Sequence, residues 1–166
     1  MISVFDNFLL SDYLCERIKQ EYSNKLELTY SDIRKNKKYH EFDKTSWIHK
    51  EVDTLIKKAI GSTYSLLSRV TVLKYEKGDY FLKHEDGPSN SRLNSELPHH
   101  FYGGVELSER GEFEGGDFYI NDNIVDYKKG RIFTHGFSDS HGVKEVISGC
   151  RWSIHFLIEN NEKNII

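Results

Sequence analysis

Apolar positions recur every fourth residue near the start of the chain, at Leu14, Ile18 and Tyr22 within residues 11–22. That spacing stacks one stripe on one face of a helix. Ser11, just ahead of the stripe, can accept a hydrogen bond from a free N–H of the first turn. Residues 47–60 repeat the pattern with Ile48, Val52, Leu55, Ile56, Ala59 and Ile60. Thr45 or Ser46 would cap this second helix, and Gly61 would end it. Between the two lies Arg34-Lys35-Asn36-Lys37-Lys38, a basic run that reads as a solvated loop.

From residue 66 onward the period shortens to two. The stretches 66–75, 80–86, 117–120, 131–135 and 150–158 read as strands. Turns marked by Lys77-Gly78-Asp79, Glu114-Gly115-Gly116 and Lys129-Gly130 separate several of them. Two helices followed by many short strands predict a mainly β fold with flanking α-helices, a double-sheet jelly roll or double-stranded β-helix. We read one domain over 1–166, with a helical flank over 1–62 and a jelly-roll core over 66–158. Residues 87–100 are polar and hold both prolines, Pro88 and Pro98, as a lid or binding loop would.

Composition narrows the class. The chain has 166 residues, 37% hydrophobic and 30% charged, which suits one soluble globular domain with a core of its own. A formal net charge of −3 gives no global field for nucleic acid or anionic membrane. Cys15 and Cys150 are too few for a disulfide framework and match no zinc spacing. No segment is apolar enough to span a bilayer, and the start, Met-Ile-Ser-Val-Phe-Asp, lacks a signal peptide's basic and apolar regions. A cytoplasmic or otherwise intracellular setting is the expectation.

The eight histidines carry the chemistry. In His84-Glu85-Asp86, residues two apart on a strand share a face, so an imidazole and a carboxylate can stand side by side. One more histidine would complete a 2-His-1-carboxylate facial triad, which leaves positions open on a non-haem iron(II). Alone, His-x-Asp is common by chance and equally fits a surface ion pair. The second piece runs from His141 through Val143, Val146 and Gly149 to Arg151. A turn at Gly149 would bring the Arg151 strand back beside the His141 strand. Alternation then puts Arg151, Ser153 and His155 on one face and Trp152, Ile154, Phe156 and Ile158 on the other. A guanidinium in such an environment needs an anion. A dicarboxylate co-substrate would supply one, with Ser153 as a second donor, and so would a structural salt bridge to one of the 26 acidic residues.

Tyr75-Glu-Lys-Gly78-Asp-Tyr80-Phe-Leu-Lys-His84-Glu-Asp86 resembles the Tyr-x-x-Gly-x-x-Tyr-x-x-His-x-Asp signature of the prolyl 4-hydroxylase-like iron(II)/2-oxoglutarate dioxygenases. His141 to Arg151 resembles that family's second signature, a distal histidine followed ten residues later by arginine or lysine. Glu114-Gly115-Gly116-Asp117-Phe118 resembles the Gly-Gly turn between them, and the lead from Val4 to Ser11 resembles the family's entry into its first helix. The resemblance implies iron(II) on His84, Asp86 and His141. It implies 2-oxoglutarate anchored by Arg151 with Ser153 as helper, a pocket lined by Tyr75, and Tyr80 as a further candidate. Dioxygen would be co-consumed, with ascorbate a candidate auxiliary reductant. The family often supplies a further tyrosine from the strand before the Gly-Gly turn; here that strand reads as Phe101–Leu107, and the sequence leaves open whether Tyr102 takes that role.

The implied activity is hydroxylation of a C–H bond, because related halogenases lack the carboxylate that Asp86 provides. A protein or peptide prolyl substrate is the first reading, with the 87–100 and 29–45 segments as a clamp. A free amino acid or small metabolite is the alternative. A nucleic-acid oxygenase is disfavoured, since that branch carries a second arginine where this chain has Leu157. A non-catalytic jelly-roll binding module fits the complete triad poorly. His99, His100, His135 and His155 lack partners at short spacing and read as structural or solvent-facing, with His100 and His155 the nearest to the site.

Overall fold

Serine caps start both helices. The Ser11 hydroxyl accepts from the Leu14 N–H (3.3 Å) at the head of α1 (Asp12–Tyr22), and Ser46 accepts from the His49 N–H (3.2 Å) at the head of α2 (Trp47–Ala59). Each helix buries the stripe its sequence predicts: Cys15, Ile18 and Tyr22 on α1, and Ile48, Val52, Leu55 and Ile56 on α2. The computed structural model describes residues 3–25, 27–31, 34–67, 70–86, 101–126 and 128–161, with 28–31 and 34–37 as backbone.

Thirteen strands are present among the described residues, all paired antiparallel. They are β1 (Ser3–Leu9), β2 (Glu27–Ser31), β3 (Arg34–Phe42), β4 (Tyr64–Leu66), β5 (Val70–Glu76), β6 (Tyr80–His84), β7 (Phe101–Glu106), β8 (Phe113–Gly115), β9 (Phe118–Ile120), β10 (Asn123–Ile124), β11 (Arg131–His135), β12 (His141–Val143) and β13 (Val146–Asn160). Their order is β1-β11-β7-β13-β5-β3-β6-β12-β9-β10, with β2 on β3 and β4 and β8 on β13. This mostly β, antiparallel arrangement with two helices is the jelly roll expected from the strand pattern.

Alternation divides the wall β11-β7-β13-β5 cleanly. Trp152, Ile154, Phe156 and Ile158 of β13 join Val70 and Val72 of β5, Val105 of β7 and Ile132 of β11 in a core under the helices. The intervening residues face inward, toward a second cluster holding Tyr75, Phe81, Phe118, Ile120, Phe133, Val143 and Val146. The register fixes this: Arg151 lies opposite Tyr75, Ser153 opposite Leu73 and Glu106, and His155 opposite Thr71 and Gly104. Two glycines thin β7. A Cβ on Gly103 would sit 2.5 Å from the Phe156 ring, and one on Gly104 would sit 2.4 Å from the Phe133 ring, so each absent side chain is replaced by a neighbour's phenyl.

Two expectations are corrected. The basic run 34–38 opens a strand, β3, which pairs with β2, β5 and β6; Lys38 reaches Glu76 and the buried Asp79. Backbone pairing holds the run in the sheet, and the two carboxylates meet Lys38. The segment 1–62 thus carries β1, β2 and β3 beside its helices. Gly149 does not reverse the chain either. It holds φ +73 inside β13, where a side chain would meet the Glu112 carbonyl at 2.1 Å, and the register slips between Val146 and Ser148. The strand bends and continues, so Arg151 lies between β5 and β7 while His141 lies between β6 and β9. No helix among the described residues is long and apolar enough to cross a membrane.

Candidate metal and co-substrate site

A cavity of about 440 Å³ opens inside the barrel. Its walls come from Thr71, Leu73 and Tyr75 of β5, Phe81 and His84 of β6, Phe133 of β11, His141 and Val143 of β12, and Arg151, Ser153 and His155 of β13, with Glu41, Asp86, Tyr102 and Phe118 around them.

His84 and His141 lie directly opposite each other on β6 and β12, and Asp86 follows the end of β6. Asp86 Oδ1 is 3.6 Å from His84 Nε2, and Asp86 Oδ2 is 3.3 Å from His141 Nε2. Both rings use Nδ1 on the backbone carbonyl two residues earlier: His84 on Leu82 O at 2.8 Å, His141 on Asp139 O at 3.0 Å. A ring N–H donated to a carbonyl leaves the other nitrogen as a bare lone pair, so both Nε2 atoms are presented as acceptors. His84 Nε2 and Asp86 Oδ2 are buried without a hydrogen-bond partner. Two imidazole lone pairs and a carboxylate at one point fit a first-row divalent cation. Burial opposes ionisation of Asp86, but the two imidazoles beside it, which can donate to the carboxylate when protonated, outweigh it and hold the carboxyl well below the usual carboxylate range.

A second donor set shares His141: His135, His141 and His155. His135 packs against His141 with ring centroids 4.6 Å apart and the planes tilted by 50°, its Nδ1 on the Gly136 carbonyl at 3.2 Å. Burial, aided by the repulsion of His141, pushes its pKa down to about 4, so this imidazole stays neutral. The all-histidine set has no anion to offset a dication's charge, which favours the Asp86 set. Tyr102 stacks on both His135 and His155, with centroids 5.7 and 5.2 Å away, and burial pushes its hydroxyl up to about 12.

Arg151 lies at the buried end, 1% exposed, with its Cζ 5.7 Å from the centre of the Tyr75 ring. Its Nη2 donates to Glu106 Oε1, and Glu106 is 4% exposed. Of the two anions weighed from sequence, a structural carboxylate is therefore already in place. Ser153 and Tyr75 line the cavity and Tyr80 does not; Phe81 and His84 take the inner places on β6, across an irregularity in its pairing with β12. Glu106, Phe133 and His135 were missed because inward placement depends on strand pairing, which no local period encodes. His99, His100 and the 87–100 segment lie outside the described residues.

The fold is that of solved structures of prolyl hydroxylases and other iron(II)/2-oxoglutarate oxygenases, to which the chain is similar over most of its length. The viral collagen prolyl hydroxylase vCPH from Paramecium Bursaria Chlorella virus-1, in its 2-oxoglutarate complex, aligns at TM-score 0.72 and 18% identity over 96% of this chain and 95% of its own. A prolyl hydroxylase from Trichoplax adhaerens, in complex with a hypoxia inducible factor oxygen degradation domain peptide fragment, aligns at TM-score 0.65 and 18% identity, covering 98% and 84%. HygX from Streptomyces hygroscopicus, with nickel and 2-oxoglutarate bound, aligns at TM-score 0.67 and 11% identity, covering 97% and 83%. By sequence, the chain matches no protein-family model and no curated protein.

Proposed function

We propose that this chain is an iron(II)- and 2-oxoglutarate-dependent oxygenase that hydroxylates a C–H bond, with a peptide of prolyl type as its preferred substrate class. The observation that carries this reading is the convergence of His84 Nε2, His141 Nε2 and the Asp86 carboxylate in a cavity that Arg151 also lines. Residues 1–166 act as one domain, and the 66–158 portion carries the site.

His84, Asp86 and His141 hold the metal, and the two backbone carbonyls behind the imidazoles keep the rings in the metal-binding tautomer. Arg151 attracts the far carboxylate of the keto acid, Ser153 adds a donor, and Tyr75 walls the same end. Phe81, Phe118 and Phe133 exclude water around the metal end. When bound, iron(II) and 2-oxoglutarate supply oxidative decarboxylation by dioxygen, coupled to hydroxylation of the substrate. The peptide preference draws on the likeness to prolyl hydroxylases, one of them captured with a peptide fragment. A free amino acid or small metabolite is the alternative substrate class.

The test is succinate release with iron(II) present or chelated, across peptides, free amino acids and nucleotides. We expect iron-dependent succinate formation stimulated most by a proline-containing peptide. Stimulation by an amino acid alone would move the substrate to the alternative. No succinate under any condition would return the chain to a binding role.

A further inference from the structure

Arg151, which lines the cavity, forms a buried ion pair with Glu106, which sits on the adjacent strand opposite the cavity-lining Ser153. Glu106 Oε2 is buried with no hydrogen-bond partner, although a carboxylate oxygen inside a protein ordinarily accepts at least one. Arginine and carboxylate together are neutral. A dicarboxylic keto acid reaching Arg151 with its far end would set two carboxylates on one guanidinium away from water. Two like charges sharing such a site do not both stay ionised, and one takes a proton.

Building on the reading of Arg151 as co-substrate anchor, we propose that Glu106 is a specificity-determining group of the pocket: it binds the far carboxylate of the keto acid as a neutral acid beside Arg151, so each dicarboxylate bound takes up one proton. The proton comes from solvent to a Glu106 oxygen, whose O–H then donates to a carboxylate oxygen of the ligand. No bond to carbon changes. The groups facing Glu106 are Arg151 from β13 and, at longer range, Arg131 from β11 and Arg110 from the turn before β8, with Ser153 opposite it on the ladder. Burial raises its carboxyl, and the three arginines pull it back without cancelling the rise. Keto acids whose far end is uncharged need no proton there. The pocket's preference for a dicarboxylate therefore strengthens as pH falls.

The experiment is titration calorimetry of the full chain with manganese(II) replacing iron, from about pH 6 to about pH 8, in buffers of differing ionisation enthalpy. The ligands are 2-oxoglutarate and 2-oxobutanoate, which share the chelating head but differ at the far end. We expect 2-oxoglutarate to take up one proton more than 2-oxobutanoate, and its affinity relative to 2-oxobutanoate to rise about tenfold per pH unit lowered while free Glu106 is ionised. Glu106→Gln, which keeps a donor and carries no charge, should abolish that difference and bind 2-oxoglutarate at least about tenfold tighter near pH 8. Should this variant fail to fold, the two-ligand comparison on the native chain decides alone. Equal proton uptake for both ligands overturns the proposal while leaving Arg151 as anchor. Failure of 2-oxoglutarate to bind the native chain and Glu106→Gln alike overturns the co-substrate reading together with it.

Discussion

At one end of the cavity, His84, Asp86 and His141 turn lone pairs toward a common point; at the other, Arg151 already holds Glu106. Both ends are buried and polar, yet their charge is balanced differently. The first presents acceptors with no cation among the described residues to meet them. The second is a pair of opposite charges in which burial still raises the Glu106 carboxyl despite the arginines around it. A buried group that looks like a ligand site from its own chemistry can thus stand open or already hold a charged partner, and only its neighbour tells which.

The largest expected effect lies at the metal end. His141→Ala or His84→Ala should reduce substrate-stimulated succinate release to background and remove the rise in melting temperature on adding a divalent metal. For the native chain that rise corresponds to about 2.7 kcal/mol at a hundredfold excess over Kd. A mutant that kept its metal response would break the contrast, because the acceptors would then not be the ligands.

Next comes the paired end. Arg151→Met leaves Glu106 buried without its cation and should cost about 3–5 kcal/mol of stability in urea unfolding. Adding Glu106→Leu should recover most of that loss while 2-oxoglutarate binding stays abolished. Recovery of binding in the double variant would show that the pair serves structure only.

A smaller effect is the pH dependence of metal binding. Burial lowers the pKa of His141, but the hydrogen bond to Asp86 outweighs it and leaves the ring above the ordinary histidine value. A proton on Nε2 occupies the lone pair that a metal needs. Apparent metal affinity should therefore be full above that raised value and decline as pH falls through it, by about tenfold per unit for one competing proton. Metal titrations across pH would check the slope, and a flat profile would remove His141 from the set. Smallest is Ser153→Ala, which should weaken 2-oxoglutarate about fivefold through loss of one hydrogen bond worth about 1 kcal/mol.

Much of the frame was legible because its signals are local. Ser11 and Ser46 announce the helices three residues ahead of the N–H groups they cap, and the alternation in β13 sorts Arg151, Ser153 and His155 from Trp152, Ile154 and Phe156 without knowledge of any neighbour. His84 and Asp86 are two apart, but β6 ends at His84, so their meeting depends on the path of the chain beyond the strand as well as on the spacing. The partner of Arg151 was not legible. Glu106 lies 45 positions away and meets it only because β7 and β13 pair in one register. His135 reaches His141 from a strand that does not pair with the strand of His141, so spacing could not report it. The basic run 34–38 misled because its charges masked a backbone that pairs on both sides.

The bare backbone at Gly103 and Gly104 bears on how this protein can change over generations. The Phe133 ring fills the space a residue at 104 would need, and that ring also walls the cavity. A methyl added at 104 displaces the ring inward and shrinks the chamber; trimming Phe133 enlarges it. Neither change touches an ionisable side chain. A lineage can therefore retune what fits inside while its chemistry stays intact, with the adjustment made in the wall.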